Sequence, residues 1–126
     1  MNQDIALFFD KMPGALSLYE VFERRVFSGI GGVNIKVQKT QISFSNRYNF
    51  AFVSLLPVRK KKERPEVYIV VTFGLGHQVI SPRIDAVSEP YPGRFTHHVL
   101  VSEEEEIDEE LMGWVKEAAS FSERKR

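Results

Sequence analysis

The sequence contains no cysteine among its 126 residues. Thiol catalysis, disulfide bonds and cysteine-based zinc sites are therefore excluded. The chain needs no such cross-links, because a domain of this size with 43% hydrophobic residues can bury a sufficient core. We predict a single domain over residues 1–126, with residues 1–12 as a short N-terminal segment and residues 122–126 as a frayed, charged tail.

The sequence also lacks an excess charge and a long apolar run. Its 17 basic and 17 acidic residues cancel, whereas nucleic-acid-binding domains usually carry surplus lysine and arginine. No apolar stretch approaches the roughly 20 residues that a membrane span needs, and the N-terminal MNQDIALFF lacks the basic region of a secretory signal. We therefore expect a cytoplasmic protein with no membrane partner, for which nucleic acid is not the favoured partner.

Signatures of common catalytic and cofactor-binding classes are missing as well. The sequence has no GxSxG, HExxH, GxGxxG or Walker motif. It therefore predicts no cofactor, and it favours a binding protein over an enzyme.

The hydrophobic periodicity predicts an α+β fold. Apolar residues at helical spacing indicate one helix over residues 15–26 and another over residues 108–121. Alternating or β-branched runs between them predict strands at residues 33–37, 42–44, 50–56, 67–73, 77–80 and 94–101. Because these strands follow one another without intervening helices, the sheet should be mainly antiparallel. The N-terminal and C-terminal helices would cover one face, and the open face would be a natural binding surface.

Residues 74–101 are the densest polar stretch of the chain and hold all three of its histidines. Two arginines beside aromatic residues there can hold a carboxylate or phosphate, although they can equally form internal salt bridges that pin a long loop. A polar triplet at residues 39–41 ends an earlier strand and can face the same side. The candidate residues for binding a small anionic ligand, or a protein or peptide, are Lys39, Gln41, Arg83, Glu89, Tyr91, Arg94, His97 and His98.

The adjacent histidines should not act together. Side chains alternate across a strand, so His97 should point to the more apolar face and His98 to the more polar one. Both cannot then bind one metal ion, and we predict no metal site, with the histidines hydrogen-bonded within the fold. A small metal-dependent enzyme that uses His77, His97 or His98 stays open as a second alternative.

A basic loop separates two of the predicted strands. Its simplest interpretation is a solvated turn. The alternative is a wing of a nucleic-acid-binding domain that contacts backbone phosphates. The contacting residues would be Arg59, Lys60, Lys61, Lys62 and Arg64. A homodimer is also compatible with the sequence.

Several segments resemble an uncharacterised bacterial family described as domain of unknown function 5655. They are LSLYEVFERRV, IKVQKTQISF, VTFGLGHQVISPRID, EPYPGRFTHH and EIDEELMGWVKEA. The resemblance covers residues 13–121 and implies a fold rather than an activity. The family looks distantly similar to α+β domains of the YdhG and YjbR type, which have a double-wing arrangement. Some of those have been suggested to bind DNA and others to handle iron, but fold analogy does not transfer function.

Overall fold

A computed structural model describes residues 3–124 as three helices and six strands. The helices are α1 (Gln3–Phe8), α2 (Ala15–Gly29) and α3 (Glu109–Arg124). The strands are β1 (Asn34–Val37), β2 (Ile42–Ser45), β3 (Asn49–Ser54), β4 (Ile69–Leu75), β5 (Ala86–Tyr91) and β6 (Arg94–Val101). Short 3₁₀ turns lie at Phe9–Lys11, Lys61–Glu63 and Glu104–Glu106.

The strands form one sheet in the order β1-β2-β3-β4-β6-β5, and every neighbouring pair is antiparallel. The longest pairing joins β4 to β6, in register from Ile69–Val101 to Leu75–Phe95. The predicted α+β fold with an antiparallel sheet and terminal helices is therefore confirmed.

One face of the sheet packs against α2 and α3. The apolar stripe of α2 is buried, as the helical spacing predicts, at Ala15, Leu18, Tyr19, Phe22 and Val26. The sheet contributes Phe44, Val53 and Phe73 among others to the same core. None of the helices within residues 3–124 is long and apolar enough to cross a membrane.

The opposite side of the sheet carries a more polar set of side chains, and we call it the open face. Thr72 pairs directly with Phe52 on β3 and with His98 on β6. Directly paired residues share a face, so these three side chains lie together, away from the helices. Ser54 and Thr96 share that face by alternation along their strands.

The structure differs from the predicted element pattern at three places. Residues 77–80 form no strand, and β5 lies instead at Ala86–Tyr91, within the stretch that reads as a loop. Pro90 is tolerated there because β5 is an edge strand, where one side of the backbone needs no partner. Helix α3 also continues to Arg124, into the predicted tail, whose last two residues lie outside the described part of the chain.

Candidate ligand-binding site

The open face carries a pocket of about 470 Å³, which we call the main pocket. Its floor consists of Thr72 and His98 from the central strands, with Ser54 beside them. Its walls come from the β1–β2 turn, the segment after β3 and the N-terminal turn. These wall residues are Lys39, Thr40, Gln41, Leu55, Leu56, Pro57, Phe8, Lys11 and Met12.

Local contacts hold the N-terminal wall against the sheet. Met12 packs against a small apolar cluster formed by Tyr68, Val70 and Leu100, and its sulfur accepts a hydrogen bond from the Tyr68 N–H at 3.4 Å. The Tyr68 hydroxyl donates to the Leu55 carbonyl at 2.9 Å. One tyrosine therefore ties together two walls of the main pocket.

The β1–β2 turn is also ordered by its own hydrogen bonds. The Gln38 N–H donates to the Gln41 carbonyl at 2.8 Å, which closes the turn. The Gln38 side-chain oxygen accepts a hydrogen bond from the Ser43 hydroxyl at 2.6 Å. These bonds place residues 39–41 at the rim, so the main pocket brings together Lys39, Gln41 and His98 of the predicted site residues.

His98 is a neutral polar group on the pocket floor. Its Nδ1 lies 2.8 Å from the Thr72 hydroxyl oxygen, in a hydrogen bond whose donor depends on the tautomer. Burial lowers the pKa of His98 below its ordinary value, so the ring is uncharged at neutral pH. The formal charge at the main pocket therefore comes from Lys11 and Lys39, since no described lining residue is aspartate or glutamate.

A second pocket of about 320 Å³ adjoins the first and shares Thr72 with it. We call it the hairpin pocket, because Tyr91 and Arg94 of the β5–β6 hairpin line it together with Phe52 and Thr96. It lies at the end of the sheet, where it also reaches Phe121 and Ser122 of α3. The Arg94 guanidinium lies 6.0 Å from the centre of the Tyr91 ring. Two more predicted site residues therefore lie on the open face, but in this neighbouring pocket.

Arg83 lies elsewhere and has a structural role. Its guanidinium donates to the carboxylates of Asp108 at 2.9 Å and Glu110 at 3.0 Å, and to the Glu106 carbonyl at 2.6 Å. Burial alone would raise the pKa of Asp108, but the Leu111 N–H and Arg83 bind its charged form and lower that pKa below its ordinary value. Arg83 thus fastens the loop before β5 to the start of α3, and its prediction as a ligand residue finds no support in this geometry.

Glu89 also serves the fold. Its carboxylate accepts the Gly93 N–H at 2.9 Å across the β5–β6 turn. Gly93 has a φ of 75°, a left-handed conformation that suits glycine. Glu89 therefore closes the hairpin that carries Tyr91 and Arg94, and does not line either open-face pocket.

His97 points to the helix side, as strand alternation predicts. It is fully buried and stacks on Phe73 with 5.1 Å between ring centres. Its Nε2 accepts the Val79 N–H at 2.9 Å, and burial lowers its pKa. His97 is therefore a core residue that holds the loop before β5, and its placement in the predicted ligand site is not what the structure shows.

The three histidines do not gather into a metal site. His77 pairs with Glu117 of α3, whereas His97 and His98 point to opposite faces. Across residues 3–124, no three histidine or carboxylate side chains are placed to hold one metal ion. The geometry therefore lends no support to the metal-dependent alternative.

The basic loop is only partly available to a partner. Arg59 donates to the Asp85 carboxylate at 2.7 Å, and this hydrogen bond is the main reason that its pKa is raised. Arg64 is half-buried, whereas Lys60, Lys61 and Lys62 are exposed. Nucleic-acid binding through this loop stays a prediction, with three lysines as its available contacts.

The sequence interpretation missed several residues of the main pocket. Thr72 and Ser54 lie in strands that read as apolar, and only the register shows that Thr72 faces His98. Lys11 and Met12 come from the short N-terminal segment, which carries no functional motif. A search for polar residues inside otherwise apolar strands would have found Thr72 and Ser54, but nothing in the local pattern indicates Lys11.

Comparison with known proteins gives a family and no activity. No curated protein and no solved structure matches the chain. The more distant likeness to YdhG-type and YjbR-type domains therefore stays a prediction. A family model described as a domain of unknown function, DUF5655, matches residues 7–122, which include both open-face pockets. Since that match covers nearly the whole chain, the protein belongs to the DUF5655 family.

Proposed function

We propose that this protein is a binding module that receives a small anionic ligand with an apolar portion in the main pocket. The observation that carries the proposal is the pocket lining. Lys11 and Lys39 stand beside neutral polar groups and an apolar wall, and no carboxylate is present among the described lining residues. Binding pockets for small molecules typically combine an apolar lining with a few polar groups in this way.

The charge distribution strengthens this proposal. The chain as a whole is neutral, with 17 acidic residues, so an acid-free pocket is a local arrangement and not a consequence of composition. A concave site lined by charges of one sign concentrates ligands of the opposite sign. A carboxylate or phosphate group near Lys11 and Lys39 is therefore the ligand group that this pocket favours.

The remaining lining residues suit the rest of such a ligand. Thr72 and His98 offer hydroxyl and imidazole hydrogen-bonding groups on the floor. Phe8, Met12 and Leu55 offer apolar surface on the walls. A flexible methionine adapts to ligands of different shape, so the pocket fits a class of amphipathic anions.

Octanoate is a suitable probe, and octanol is its uncharged counterpart. We expect octanoate to bind more tightly than octanol and to shift the backbone amide NMR signals of Thr72 and His98. Lys39→Gln should weaken octanoate binding by about fivefold, the size of one partly exposed ion pair. Binding of octanol should be the same in the variant and the unmodified protein.

Lys62→Gln is the matched control, because Lys62 is an exposed lysine outside both open-face pockets. It should leave octanoate binding unchanged. Equal loss of binding in the two variants, or no saturable shift at Thr72 and His98, would overturn the proposal. A variant with Lys60, Lys61 and Lys62 all changed to glutamine, tested with single-stranded and duplex DNA at low salt, separately tests the nucleic-acid alternative.

A further inference from the structure

The two open-face pockets meet at Thr72, which lines both of them. Thr72 sits between Phe52 and His98 in one row across the sheet. The neighbouring position along β4 is Gly74, whose missing side chain leaves room beside Thr96. If a Cβ were placed at Gly74, its nearest contact outside the adjacent residues would be the Phe95 carbonyl oxygen, at 4.0 Å. The two pockets are therefore neighbours, and we call them together the groove.

The far end of this groove carries an available cation. Arg94 lines the hairpin pocket, and no ion pair within residues 3–124 includes it. Its described contact is with the ring of Tyr91, which is 65% exposed. As in the main pocket, no described residue that lines the hairpin pocket is acidic. An arginine in this setting can bind a carboxylate or phosphate through two parallel hydrogen bonds.

The distance from the floor of the main pocket to Arg94 sets the length of a ligand that could use both pockets. His98 and Arg94 lie on the same face of β6, four residues apart, which corresponds to about 13 Å along the strand. Thr96 lies between His98 and Arg94 on this face of β6. Phe52 and Thr72 lie in the same row as His98 and offer an apolar ring and a hydroxyl group at that end. A short acid cannot reach both ends, whereas an extended molecule with an acidic group at each end can.

We propose that the ligand is an elongated molecule with two acidic groups joined by an apolar linker. One acidic group binds near Lys11 and Lys39, and the other binds Arg94. This inference rests on the proposed function of the main pocket and adds the length and second charge of its ligand. It also assigns Arg94 and Tyr91 as the residues that bind the far end.

The test compares dodecanedioate with dodecanoate, which has the same length and a single carboxylate. In the unmodified protein, dodecanedioate should bind more tightly by about fivefold, because it gains one partly exposed ion pair. Arg94→Gln should abolish this difference and leave dodecanoate binding unchanged.

Arg47→Gln is the matched control, because Arg47 also lies over a tyrosine, Tyr48, at 5.6 Å, but lines neither open-face pocket. It should preserve the advantage of dodecanedioate. Gly74→Val is a second test variant, which narrows the groove without removing a charge. Like Arg94→Gln, it should reduce the affinity advantage of dodecanedioate over dodecanoate. Calorimetric titration of each variant measures all of these affinities.

The outcomes separate this inference from the proposed function. If dodecanoate and octanoate fail to bind at the main pocket, the proposed function is wrong. If they bind there, but dodecanedioate has no advantage that depends on Arg94, only the elongated ligand with two acidic groups is wrong. Equal loss in Arg94→Gln and Arg47→Gln would show a general charge effect and would also overturn it.

Discussion

His97 and His98 are neighbours in the sequence, but they lie in two different regions of the molecule. His97 has no exposed surface and lies in the core against Phe73, where its Nε2 accepts the Val79 N–H. His98 lies on the open face, bonded to Thr72 at the floor of the main pocket. Burial lowers the pKa of both, so both are uncharged at neutral pH.

The comparison shows that the two faces of strand β6 have different roles. The helix side of β6 stabilises the fold, and His97 supplies a hydrogen bond there that fastens residues 76–85. The other side of β6 leaves polar groups at the surface of two pockets. The same division separates Arg83, which is held by three acceptors, from Arg94, which stands in the groove.

The largest difference should appear when each histidine is changed to alanine. His97→Ala should lower the free energy of unfolding by about 3 kcal/mol, because it leaves a cavity beside Phe73 and a Val79 N–H without its acceptor. His98→Ala should cost about 1 kcal/mol, the worth of one side-chain hydrogen bond. Urea unfolding followed by circular dichroism measures both, and equal costs would contradict the division between the two faces.

Alanine variants of Arg83 and Arg94 should also differ in the free energy of unfolding, but by less than the two histidine variants. Arg83→Ala should lower the free energy of unfolding by about 1 to 2 kcal/mol, because three acceptors at the start of α3 lose their donor. Arg94→Ala should change it by less than about 0.5 kcal/mol, as expected for a surface side chain without such bonds. Thermal unfolding of the two variants checks this, and a larger cost for Arg94→Ala would assign that residue to the scaffold.

The contributions of His97 and His98 to the pH dependence of stability should be smaller than the effects of the alanine substitutions. A lowered pKa means that the unfolded chain binds protons more readily than the folded protein does. The contribution of the neutral histidines to the free energy of unfolding is therefore complete above the ordinary pKa of 6.5. It is lost as the pH falls from 6.5 towards the lower pKa of the folded state. Unfolding free energies measured from about pH 8 to about pH 5 should decline on the acid side.

Glutamine substitutions separate the contributions of His97 and His98 to this pH dependence of stability. His97→Gln retains a side-chain oxygen that can accept the Val79 N–H but cannot titrate, so it should remove the His97 part of the acid-side decline. His98→Gln should remove the part that comes from the open face. If the decline is the same in both variants and in the unmodified protein, other groups cause it.

The antiparallel sheet and its strand β6 could be predicted from residue patterns because they depend on local alternation. The stretch from Arg94 to Val101 is a strand with the predicted bounds, and His97 and His98 face the predicted sides. The prediction of a strand at residues 77–80 was wrong, because the Val79 N–H is bonded to the His97 side chain and not to the backbone of a neighbouring strand. Strand β5 was missed because Pro90, with Pro82 and Pro92 nearby, indicates a loop, although an edge strand tolerates proline.

The candidate site could be predicted only in part. Lys39, Gln41 and His98 do line one pocket, and Tyr91 and Arg94 line its neighbour. Arg83 could not be told apart from Arg94 in the sequence, because its partners Asp108 and Glu110 lie 25 and 27 residues further along the chain. Thr72 and Lys11 were missed because each acquires its place through contacts with distant segments.

The sequence by itself determined the class of fold, the family and the opposite orientations of His97 and His98. These follow from periodicity, from composition and from motifs that are read along the chain. The tertiary structure alone decided which charges are paired and which line a pocket. Pairing depends on the register between strands and on how the loops pack. Asp108 and Glu110, which are distant in the sequence, therefore make Arg83 part of the scaffold, whereas Arg94 lines the hairpin pocket.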